Sequence, residues 1–88
     1  MISTTATVTT EASRVLTKSS SWRTVYIHVT GTGVVYLGGS DVTSSNGLLT
    51  EKNAVPLQIA IPAEEELWAV TGSGTEDIRI LKPELTNE

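Results

Sequence analysis

The chain contains no cysteine, which excludes disulfide staples and thiolate metal sites. It also contains no phenylalanine, so Trp22, Tyr26, Tyr36 and Trp68 are its only aromatic side chains. No apolar run approaches the roughly 20 residues of a membrane helix, and the start lacks a basic-then-apolar signal pattern. These absences lead to the expectation of a soluble protein with no export signal and no membrane association. Clusters of Lys and Arg are missing too, and the net charge is −4. Nucleic acid is therefore a poor partner, because neutralising phosphates takes grouped cations. His28 is the only histidine, and no acid or serine stands at a telling distance from it. No G-x-S-x-G elbow, H-E-x-x-H pair or phosphate-cradling glycine motif occurs. The reading is of a protein that is not an enzyme and carries no cofactor.

What is present is β-forming. With 14 Thr and 9 Ser, and Val and Ile well represented, the chain favours strands over helices. At 88 residues it is one domain, burying about 60–65% of the surface its unfolded chain exposes. A domain of this size without staples often completes its stability by self-association. Charge is uneven: residues 1–40 carry a net +2 and residues 41–88 a net −6. That asymmetry suits contact between copies of the chain.

The clearest pattern is WRTVYIHVT, residues 22–30, in which Val25, Ile27 and Val29 alternate with Thr24, Tyr26 and His28. This is a strand with a core side and a wetter side. Gly31-Thr32-Gly33 reads as a hairpin turn into the strand VVYLG, 34–38. Asn46-Gly47 marks a reversal before Leu48-Leu49-Thr50. In VPLQIAI, Val55, Leu57, Ile59 and Ile61 share one face, with Pro56 near the start and Pro62 ending the run. Leu67–Thr71 and Asp77–Leu81 read as strands joined by a hairpin loop, Gly72–Thr75, and 83–88 as an acidic tail. Residues 1–21 are polar and β-branched, with one strand expected near 5–17. That segment is either an edge strand or an extended N-terminal arm that adds a strand to a neighbour. As an arm it would be dispensable for folding, and a chain starting at Ser21 would still fold. The predicted architecture is all-β: a small antiparallel sandwich or barrel over 22–82, with Val25, Ile27, Val29, Leu57, Ile59 and Ile61 in its core.

Two polar groups invite a metal reading. Asp41, Asn46, Glu51 and Asn53 offer oxygens, but calcium takes six to eight, with acids at alternating positions and one bidentate. Glu64-Glu65-Glu66 is weak on the same logic and reads better as a solvated turn, so no metal is expected. Trp68, inside an apolar strand, reads as core or subunit interface. Tyr26, Tyr36 and Trp22 are candidates for stacking on sugar rings or for a protein interface.

The run VTGTGVVYLGGSDVTSSNGLLT, followed by IPAEEELWAVTGSGTEDIRIL, resembles a pattern in small structural proteins of tailed bacteriophages. There a strand ending in Y-L-G-G leads into S-D-V-T-x-x-N-G; L-W-A-V, a small-residue turn and a closing R-I-L-type strand follow. The likeness covers about residues 22–81. It implies a virion protein, above all a capsid decoration protein: a trimeric β domain, made in the host cytoplasm, that binds the major capsid protein outside the head. The alternative is a tail or fibre module for host-surface or carbohydrate recognition. In this reading the GGSDVTSSNG loop is a shaped scaffold: Gly38-Gly39 serve close approach or positive φ, and Asp41 caps N–H groups of its own loop. The residues expected at partner contacts are Thr5, Thr7, Val8, Thr9 and Arg14, with Trp22, Tyr26, Asp41 and Asn46.

Overall fold

The computed structural model describes residues 1–83, so the acidic tail lies outside the described residues except for Pro83. The alternation at 22–30 becomes a strand whose Arg23, Val25, Ile27 and Val29 point inward and whose Thr24, Tyr26 and His28 point out. Eight strands occur among the described residues: β1 Ile2–Val8, β2 Ser13–Leu16, β3 Arg23–Val29, β4 Val34–Gly38, β5 Leu48–Glu51, β6 Leu57–Ile61, β7 Leu67–Thr71 and β8 Glu76–Lys82. They form two four-stranded antiparallel sheets, ordered β1-β8-β3-β6 and β2-β7-β4-β5.

The pairing obeys a simple rule. β1 pairs β8, β2 pairs β7, β3 pairs β6 and β4 pairs β5, so the ordinals of each pair sum to nine. This is one long antiparallel ribbon with the β4–β5 loop at its head. Rolling it up brings β3 against β8 and β4 against β7. The result is a sandwich of jelly-roll topology. Six of the seven connections cross from one sheet to the other, and only β4–β5 is a hairpin. Gly31-Thr32-Gly33 and Gly72–Thr75, expected as hairpin turns, are therefore crossings. Their turn chemistry reverses the chain but does not decide which sheet receives it.

The single strand expected near 5–17 is two. Thr9–Ala12 carries the chain between sheets, so β1 ends at Val8 and β2 resumes at Ser13 with a register shift between Arg14 and Leu16. Each lies at the edge of its sheet, in keeping with the edge-strand alternative; paired within their own chain, residues 2–8 and 13–16 do not form a free arm. Val8 and Leu16 are both buried, so this segment contributes to the core.

The core is aliphatic. Val25, Ile27, Val29 and Ile61 are buried as expected, and Leu57 and Ile59 pack against them half-buried. Val35, Leu37, Leu67, Ala69, Ile78 and Ile80 fill the space that a phenylalanine would otherwise take. Trp68 is only half-buried, and its Nε1 donates to Glu66 Oε1 at 3.3 Å.

Because consecutive strands alternate direction, the 17–22, 39–47 and 62–66 connections share one end of the roll. Arg23 closes that end. Although charged, it has the inward parity of Val25 and is buried, and its guanidinium donates to the backbone carbonyls of Thr17 and Glu65. The Glu64 N–H donates to the Ser19 carbonyl at 2.7 Å, tying the same two connections together, with Glu64 at a φ of 67°. Replacing Arg23 with Met keeps the apolar stem but strands those carbonyls. The expected cost is about 2 kcal/mol, read as a lowered urea midpoint at constant slope. An unchanged midpoint would show that the two loops hold without it.

Candidate functional site

The outward face of the β1-β8-β3-β6 sheet is where aromatic, cationic and hydroxyl side chains converge. Parity puts Ser3, Thr5 and Thr7 of β1 on it, with Asp77, Arg79 and Leu81 of β8, and Tyr26 and His28 of β3. Register arranges them in rows. Ser3, Leu81, Tyr26 and Gln58 stand side by side across all four strands, and Thr5, Arg79 and His28 form the next row. Between these rows lies an open depression of about 640 Å³, floored by Tyr26, His28, Arg79 and Leu81 and flanked by Pro56. Tyr26 is 39% exposed and Leu81 37%. Trp22 is 68% exposed just before β3, on the parity of Tyr26. It lies in a separate hollow with Thr24, Ala60 and Pro83, roughly 13 Å from Tyr26 at the rise of an extended chain.

Of the residues expected at partner contacts, Thr5, Thr7, Trp22 and Tyr26 meet on this face, and Thr7 donates to Asp77 Oδ1 at 3.0 Å. Val8 is fully buried in the core and is not presented. Thr9 lies in the crossing, where its carbonyl accepts the Thr71 N–H at 2.9 Å. Arg14 belongs to the other sheet and pairs with Glu66 at 3.0 Å. That hydrogen bond, followed by the one from Trp68, holds the Glu66 carboxyl below the usual carboxylate range.

Asp41 and Asn46 shape the β4–β5 loop. Asn46 Oδ1 accepts the Thr43 N–H at 2.7 Å, and its Nδ2 donates to the Asp41 carbonyl at 3.3 Å. The side chain that caps this loop is therefore Asn46 rather than Asp41, whose contribution is its backbone. Gly38 and Gly47 serve close approach, not positive φ: a β-carbon would meet Val42 Cγ2 at 3.0 Å and Tyr36 Cβ at 2.5 Å respectively. Glu51 and Asn53 line a hollow at the opposite end of the roll, so they cannot share a cation with Asp41 and Asn46.

A second feature is the side of the sandwich bounded by β5 and β6, the outer strands of their sheets. Leu48 has the inward parity of buried Thr50 and pairs with buried Leu37, yet is 54% exposed. Leu57 and Ile59, also inward-facing, are only half-buried, and Val55 beside them is 83% exposed. Side chains aimed at the core thus remain in contact with water along one side.

Sequence reading did not single out Arg79, Leu81 or the Leu48 side. β8 shows its alternation, but only the pairing of β8 between β1 and β3 brings Arg79 and Leu81 beside Tyr26. No protein-family model, curated protein or solved structure matches the chain.

Proposed function

We propose that the chain is a virion structural protein of the tailed-phage type, a capsid decoration protein that docks as a homo-oligomer, most simply a trimer, on the outside of the head shell. The observation that carries this reading is the unclosed β5–β6 side. Leu48 is core-facing in parity but exposed, and Leu57 and Ile59, also core-facing, are only half-buried, a pattern that calls for a covering partner. The outward face with Tyr26 and Trp22 supplies a second contact surface of the residue types enriched at interfaces. The Y-L-G-G/S-D-V-T resemblance points to the virion, and jelly rolls serve viral capsids, although a fold alone does not carry a function. On this reading the protein acts by binding, with the major capsid protein as partner.

The second reading, a tail or fibre module recognising the host surface, is favoured by Trp22 and Tyr26 standing exposed on one face. Tyr36, the third ring considered for it, lies half-buried on the other sheet. The test is antibody labelling of tailed particles released from cells that carry the gene. Label over heads supports decoration, and label at tail tips supports recognition. Particles that carry no label would overturn both. Sedimentation equilibrium should show an oligomer at micromolar concentration; a monomer would remove the self-association from the proposal.

A further inference from the structure

The Tyr26 depression is better suited to a small ligand than docking on a shell requires. In a chain of net charge −4, its lining includes one cation, Arg79, and no acid. The Arg79 side chain is exposed and has no hydrogen-bond or ion-pair partner among the described residues. The acid nearest to it along β8, Asp77, accepts the Thr7 hydroxyl. Register places His28 opposite Arg79, and His28 Nδ1 is buried without a hydrogen-bond partner, so the row contains an unmatched polar atom. One row on, Tyr26 and Leu81 form a flat apolar strip, with the hydroxyl residues Ser3 and Thr5 at its edge. A volume of about 640 Å³ falls within the range of small-ligand sites.

We infer that this depression binds a pyranose sugar that bears a carboxylate. The guanidinium of Arg79 is a planar fork of donors that matches a carboxylate in two parallel hydrogen bonds. The Tyr26–Leu81 strip receives the apolar face of the sugar ring, while Ser3 and Thr5 offer hydroxyls to its polar edge. Nucleic acid fits poorly, since a single cation neutralises a single phosphate. The inference is independent of whether the chain sits on the head or the tail, so its failure would leave the virion reading standing.

The experiment is a titration of the ¹⁵N-labelled full chain followed by amide spectra, with glucuronate as probe and glucose and acetate as controls. Glucuronate should give saturable shifts confined to residues around 3–5, 26–28, 56 and 79–81. Arg79→Met should weaken binding about tenfold or more, the scale of a lost charge-assisted pair. Arg79 is exposed, so the rest of that variant's spectrum should remain in place and report an intact fold. Arg14→Met, on the other sheet, should leave the affinity unchanged. Any of four results overturns the inference: no saturable shift with glucuronate, an equal response to glucose, acetate alone matching its affinity, or Arg79→Met binding as tightly as the parent chain.

Discussion

A chain that begins at Ser21 is expected not to fold. Removing residues 1–20 strips β1 from β8 along seven register pairs, Ile2↔Lys82 to Val8↔Glu76, and strips β2 from β7. Both sheets then lose an edge strand, and the inward side chains of their new edges, Ile78, Ile80, Leu67 and Ala69, meet water. Val8 and Leu16 leave the core as well, each worth about 1.5–3 kcal/mol of burial. Small domains have total stabilities of about 5–15 kcal/mol, with the smallest near the lower bound. The loss of two aliphatic core residues and eleven strand residues, Ile2–Val8 and Ser13–Leu16, takes most or all of that. The readout is amide-proton dispersion and a cooperative thermal transition. A truncated chain that keeps both would make residues 1–20 a detachable arm and return the sequence-based expectation to favour.

That expectation arose because local signals do not contain the closure of a roll. The segment Thr9–Ala12 has no glycine or proline to announce a break, so β1 and β2 read as one strand. Gly31-Thr32-Gly33 has the composition of a hairpin turn and reverses the chain, but β3 pairs with β6 and β8, not with β4. Alternation, by contrast, was fully legible. Val25, Ile27 and Val29 are inside and Tyr26 is outside because a pleated strand allows no other arrangement. Arg23 follows the same parity into the interior despite its charge. The candidate face was half legible for the same reason. Trp22 and Tyr26 follow from the alternation at 22–30, the N-terminal contact set mixes outward Thr5 and Thr7 with buried Val8 and so does not, and Arg79 and Leu81 depend on β8 lying between β1 and β3.

Ile27→Ala is expected to cost about 2–5 kcal/mol, and Ile59→Ala clearly less, about 1–2 kcal/mol, in the isolated chain. The two residues share chemistry and inward parity, and both lie on strands of one sheet. They differ in surroundings. Ile27 is fully enclosed, so deleting its side chain loses the whole transfer term and leaves a cavity. Ile59 is half-buried on the β5–β6 side, where water already occupies part of its surface and can fill the space. Denaturation of both variants at low protein concentration measures the pair. The comparison becomes decisive when repeated at high concentration. If copies of the chain cover the β5–β6 side, the parent's midpoint rises with concentration, because association stabilises only the folded state. The cost of Ile59→Ala then rises toward that of Ile27→Ala, since the same side chain has become core. A cost at Ile59 that stays low at every concentration would mean that self-association does not cover this side.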